Sequence, residues 1–361
     1  MSHTPTDRSR PARFVALYWR LCLLCLPIVL GVGCPCIRNT VNTSPNLRWW
    51  LFSTFGANQI CPEMLKRGTP LRLSADGNVI GRFFPTQCQH HVDSDARTVT
   101  VRFTGTGFAW TPVAGRIGFS MDAAVEYRMD FHMTDEATYV WGKTNRVVHG
   151  PNFQVGSIEN KFVDIANRTP VGYLANTFGN QLVHGHLASG FTVVRTGDGD
   201  EFALGVLTPP QRPKKPFDTS GGSRYVFANE TTEVKANQVD FLGPFEVADD
   251  DQALFFRARL NGPPVDVLIY PRGVGDLWRE ALQRGGTLAP PAQAPLMSFV
   301  LQPNVEFRQK FKLPKGQYTI VVENAAVVGS VAPGWNPLGM IGGGAALVSY
   351  TSELGDEDDK F

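Results

Sequence analysis

From Ile117 to Met133 apolar and polar side chains alternate. The odd positions carry Ile117, Phe119, Met121, Ala123, Val125, Tyr127, Met129, Phe131 and Met133, and the even ones are mostly polar. A period of two is the mark of a strand with one dry and one wet face. At about 3.3 Å per residue such a strand reaches roughly 50 Å. Ordinary strands have about five or six residues, so this one is expected to curve, to wrap something or to hold a bulge. "TVTVRF" before it and "ATYVWG" after it supply neighbouring strands. An outer-membrane barrel would need more such segments in series.

The pattern changes along the chain. "VGYLANTFGNQLVHGHL", from Val171 to Leu187, puts Val171, Leu174, Phe178 and Leu182 on one helical face, although Gly172, Gly179 and Gly185 lower its helicity. "GFTVV" and "EFALGVL" are strands joined by a glycine-bearing hairpin. "TPPQRPKKPFDTSGG" breaks the pattern with prolines, basic residues and glycines, which predicts a linker over 208–223. Short strands at sandwich-like spacing follow: "VDFLGPFEV", "ALFFRARL", "VDVLIYPRG", "MSFVLQ", "QYTIVVENA" and "AALVSYTSEL". The expected fold is mainly β (α+β). It has a domain of long curved antiparallel strands with one helix over 56–207 and a β-sandwich over 224–352. "GDEDDKF" closes the chain, and residues 353–361 are expected to be a solvated acidic tail.

The N-terminal stretch "LCLLCLPIVLGVGCPC" sets an address. Its apolar run from Leu21 to Val32 follows Arg8, Arg10, Arg13 and Arg20. A spanning helix needs about twenty residues, whereas a signal-peptide core needs about 7–15. A longer reading from Phe14 to Gly33 has enough length but places Arg20 in the bilayer, at a cost of a few kcal/mol unless it snorkels. The end of the run, with Gly33 before Cys34, resembles a bacterial (Gram-negative) lipoprotein signal. The resemblance implies removal of residues 1–33, lipidation of Cys34 and a membrane attachment through that lipid. Pro35 stands where retained lipoproteins carry aspartate, which implies the outer membrane. Leu30 lies four places before Cys34 and Gly31 fills the family's aliphatic slot. Inner-membrane anchoring by an uncleaved segment therefore stays open. Residues 34–55 are expected to be a tether, with the tryptophans of "LRWWLFSTFG" either resting on lipid headgroups or opening a first strand.

Charge and cysteines narrow the picture. The whole chain carries +1; its 34 basic residues lose four with the first 33 positions and its 33 acidic residues lose one, leaving −2. That balance excludes a nucleic-acid partner, which asks for a concentrated basic patch. Cys61 and Cys88 remain in the body, and an oxidising compartment favours their disulfide, worth roughly 3 kcal/mol for a loop of about 26 residues. The alternative is zinc held with His90 and His91, but adjacent strand histidines point to opposite faces. His184 with His186, and Asp198 with Asp200, are weaker metal candidates. No cofactor and no metal is expected.

"LPKGQYTIVVEN" brings together Leu313, Pro314, Gly316, Tyr318 and Asn324. With Asp266 and Trp278 of "VDVLIYPRGVGDLWREA" it resembles jelly-roll accessory domains of secreted bacterial proteins and the GOLD-type β-sandwich, over about residues 238–350. The resemblance implies a noncatalytic domain that binds, braces or presents. No nucleophile elbow, zinc helix or phosphate loop occurs, so no catalytic residue is assigned. The leading expectation is a noncatalytic envelope protein binding a protein or polysaccharide partner, with Trp278, Tyr318 and Trp335 as contacts. A second is a lipid carrier, similar in architecture to tubular lipid-binding folds, with Met121, Met129, Met133 and Phe178 facing an apolar space. A third is a hydrolase without a local motif.

Overall fold

The computed structural model describes residues 35–72, 74, 77–111, 115–159, 185, 187–197, 199–219, 224–331 and 344–361. The N-terminal stretch expected to direct export, Cys34, Phe178, His184, His186, Asp198 and Trp335 lie outside them, as does nearly all of the helix expected from Val171.

The molecule is mostly β. Strands β1 (Thr69–Leu71), β2 (Gly81–Asp93), β3 (Thr98–Thr111), β4 (Gly115–Met133), β5 (Thr138–Ile158), β6 (Phe191–Thr196) and β7 (Gly199–Leu204) form one antiparallel meander in chain order. The alternation read in the sequence is β4. Its odd positions from Ile117 to Met129 and Met133 are buried, and Phe131 is half-buried. The length is accommodated by bulges: the β4–β5 register shifts at four places, so the 21-residue β5 runs beside a shorter stretch of β4. Each bulge bends its strand and adds twist, and the sheet curls.

The hollow of the curl is filled by the chain's own N-terminus. Helix α1 (Pro35–Thr43) and helix α2 (Pro45–Leu51) lead in along the end of β4, and a π turn and a 3-10 turn over 52–59 then carry the chain to helix α3 (Ile60–Lys66). The expected tether over 34–55 is thus corrected, and so is the alternative of a strand at "LRWWLFSTFG". Ser44 caps α2, accepting from the Leu47 N–H at 3.3 Å, and Pro45 opens it; this is strong helix-start chemistry. Trp49, Phe52, Ala57 and Ile60 then pack on Val99, Val101, Phe119, Met121 and Val125.

The second part is a sandwich. One sheet has the order β13-β10-β15-β8 and the other β12-β11-β14-β9. The strands are β8 (Tyr225–Val234), β9 (Gln238–Val247), β10 (Gln252–Asn261), β11 (Val265–Pro271), β12 (Met297–Leu301), β13 (Glu306–Phe311), β14 (Gly316–Asn324) and β15 (Ala346–Asp356). Leu254, Phe256, Val267, Ile269, Ile320, Val322, Val348 and Tyr350 form its core. On β11 and β14 the opposite face is buried as well. Leu268, Tyr270 and Val321 meet helix α4 (Arg272–Gln283) and the curled sheet.

The described part of the linker, residues 208–219, has no regular element and is pinned to the sandwich at Phe217. Phe217 is buried under the Arg257 and Arg259 guanidiniums, and Asn229 bonds both its N–H and its carbonyl. One further expectation is corrected, that of a solvated acidic tail. The tail is docked, because the Glu357 N–H reaches Asp251 and Phe361 meets Phe255 edge-on at 5.3 Å. In both cases one aromatic supplies the anchor that a count of charges and prolines does not register.

Candidate functional site

The curled sheet and the sandwich are joined along a buried seam, which holds the densest chemistry among the described residues. Arg82 on β2 crosses it. Its Nε donates to Asp240 Oδ1 and its Nη2 to Asp240 Oδ2, both at 2.9 Å, and Nη2 also reaches Glu230 Oε1 at 2.8 Å. Thr232 donates to Asp240 at 2.7 Å, Tyr350 donates to Glu230, and Arg72 reaches Glu230 at 3.2 Å. Burial alone would lower the Arg82 pKa, but Asp240 and Glu230 outweigh it and hold the guanidinium charged. Burial would likewise raise Glu230, and Arg82 and Arg72 together bring it below its ordinary value. The fork of a guanidinium matches two carboxylates in geometry. The arrangement works as a clamp, with no carboxylate left over to act as a base.

Beside the clamp lies an aromatic layer. Phe108 meets Phe241 at 6.0 Å, Phe241 meets Trp278 at 5.4 Å, and the Arg279 guanidinium sits 3.8 Å over the Phe84 ring. At Gly118 the end of α4 comes so close that a Cβ would fall 1.9 Å from the Gln283 carbonyl oxygen, which Ser157 bonds at 2.8 Å. A shallow cleft opens at the edge of the seam, lined by Trp110, Arg116, Thr232, Lys235, Gln238 and Asp240 among others. Lys235 lies 4.6 Å over the Trp110 ring, and Glu159 accepts from both the Arg116 N–H and Gln238.

The residues singled out from the sequence do not converge on one place. Met121 and Met129 belong to the closed cluster inside the curl, and Met133 is buried where Asn42 bonds its backbone at both N–H and carbonyl. Trp278 is buried in the seam, so it is not an exposed contact for a partner. Tyr318 is buried and donates to the Pro314 carbonyl within its own turn. Cys61 and Cys88 are joined as a disulfide that ties α3 to β2. His90 and His91 face opposite sides of β2, Asp200 pairs with Arg195, and no group of three metal-binding side chains occurs among the described residues. Sequence reasoning missed Arg82, Glu230 and Asp240. The available hint was an arginine inside the apolar run "VIGRFFP", a place where a charge needs a partner.

No family model matches the chain, and no curated protein matches it. Among solved structures, the chain is similar to one described as "Bacillus endospore appendages form a novel family of disulfide-linked pili". The TM-score is 0.19 with 10% identity, over 39% of this chain and 95% of that one. A likeness at that level carries no argument about fold or function.

Proposed function

We propose that this chain is a noncatalytic lipoprotein of the cell envelope, attached through Cys34, which presents its outer surface to a protein or polysaccharide partner. The observation that carries the reading is the use to which the candidate side chains are put. Met121, Met129 and Trp278 are spent on packing, the seam charges neutralise one another, and the hollow of the curled sheet holds residues 49–60 of the same chain. A lipid carrier needs that hollow for its cargo, which favours the binding reading over it. Attachment fits the layout, since α1 begins one residue after Cys34. Among the described residues no helix is long and apolar enough to cross a membrane.

The test is mass spectrometry of the protein extracted from membranes, with a Cys34→Ser variant beside it. A mature chain beginning at Cys34 with added acyl mass, and release of the variant from the membrane fraction, are expected. An unmodified Cys34 inside an intact N-terminus would replace the lipid with an uncleaved anchor. Excess extractable acyl mass on a Cys34→Ser protein would return the lipid-carrier reading to first place.

A further inference from the structure

Between Pro35 and Pro62 the sequence has no Asp or Glu, and its charged residues are Arg38 and Arg48. Both arginines are paired, one at the end of β4 and one in the turn after it, where Asp135 is exposed. Arg38 pairs with Asp135, and Arg48 reaches Asp130 through Nε at 2.7 Å and Nη2 at 3.3 Å. The helices' own outward side chains are uncharged, Ile37, Asn39, Thr40 and Thr43 on α1, then Pro45, Asn46 and Trp50 on α2, with the Arg97 guanidinium reaching Asn46 at 2.6 Å from the side. Ile37 is 49% exposed and Trp50 is 55% exposed, while the adjacent Trp49 packs into the core. The Trp50 ring meets Phe55 edge-on at 6.1 Å. A surface meant for water alone commonly has about a quarter to a third of its positions charged. Tryptophan with small uncharged polar residues suits the membrane–water boundary, where an amphipathic ring is apolar at one end and hydrated at the other.

The chain's own course says what covers this face. The apolar run ending at Val32 stops three residues before Pro35, and α1 is already fixed to β4 by Val41 and Asn42. Three extended residues give at most about 11 Å of slack. Even laid end to end, α1 and α2 span only about 24 Å. An anchor at either Cys34 or Val32 would thus keep this face close to lipid.

The geometry points to the outward face of α1 and α2 as the surface on which the anchored protein lies, with Ile37 and the Trp50–Phe55 pair set in the headgroup layer of the bilayer. The inference rests on the membrane-attached reading above and adds to it a face and an orientation.

The test uses the full chain, purified from membranes and reconstituted into phosphatidylcholine–phosphatidylglycerol vesicles containing phosphatidylcholine brominated high on its acyl chains. Flotation after a high-salt wash reads the anchor. Bromolipid quenching of tryptophan emission, compared between the native chain and Trp50→Phe, reads the face. Trp50 is half exposed, so the variant keeps its fold, which a melting curve checks. Flotation of both, with most of the bromolipid quenching lost in Trp50→Phe, is the expected result. Flotation with equal quenching in the two overturns the orientation and leaves the anchor standing. Failure to float overturns both. Shielding of Trp50 from acrylamide in lipid-free detergent solution would mean that a second copy or another protein covers this face, and it too overturns the inference.

Discussion

Asp266 and Glu323 stand opposite each other across the β11–β14 pair, and both carboxyl groups are buried. The loop after β14 folds over them. Ser330 donates to Asp266 through its N–H at 2.8 Å and its hydroxyl at 2.7 Å, the Val331 N–H adds a bond at 2.7 Å, and the Ala325 N–H reaches Glu323 at 2.7 Å. At Gly329 a Cβ would fall 2.0 Å from Glu323 Oε1, so the loop closes only over glycine.

This pair predicts a pH dependence. Burial first, and then the neighbouring Asp266, push the Glu323 carboxyl up to about 8 from its ordinary 4.5. The folded chain thus keeps a proton that the unfolded chain has released between those two values. The contribution is fully present below pH 4.5 and is lost as pH rises through 8, at up to about 1.4 kcal/mol per pH unit for one proton. Urea unfolding between pH 5 and 8.5 should show a falling slope for the native chain that Glu323→Gln flattens. Parallel curves for the two would show that Glu323 ionises in the fold as freely as in water.

Arg82 predicts the strength of the seam. Removing the guanidinium leaves buried Asp240 without a charge partner and Glu230 with Arg72 alone, and breaking a buried pair from one side costs about 3–5 kcal/mol. Arg82→Met should lower stability by that amount in chemical denaturation. Arg102→Met, which breaks the exposed contact with Asp122 at 3.4 Å, should cost about 1 kcal/mol or less. Equal effects from the two would mean that the seam is solvated.

What the sequence told correctly was local. The alternation of β4, the β6–β7 hairpin and the strands of the sandwich each follow from neighbours in the chain. The N-terminal helices were hidden because aromatic content there weighed toward a strand, while the cap at Ser44 and Pro45 points the other way. The seam was hidden for a different reason. Arg82 and Asp240 are 158 positions apart, and no period or spacing links them; only the topology brings them together. Trp278 looked like a surface aromatic because its helix face is set by the curled sheet, which belongs to the other half of the chain.

The Cys61–Cys88 disulfide ties α3 to β2, which predicts a local effect of its loss as well as a global one. The paired Cys61→Ser, Cys88→Ser chain should lose about 2–4 kcal/mol. Hydrogen exchange should rise first over residues 57–66, since α3 otherwise rests on part-buried contacts such as Met64, and later in the sandwich. A uniform rise across both parts would show that the whole molecule opens as one unit.

Trp278 separates core from contact. Buried among Phe241, Tyr270 and Leu282, it should cost about 3–5 kcal/mol as Trp278→Ala, because truncation leaves a hole that the surrounding rings refill only in part. An aromatic of smaller volume keeps the edge-on contacts, so Trp278→Phe should recover most of the loss. A partner-binding tryptophan would behave in the opposite way. Both substitutions would leave the melting temperature near its native value, and the loss would appear only in affinity. Thermal unfolding of the two variants decides between these outcomes, and the packing of the seam predicts the first.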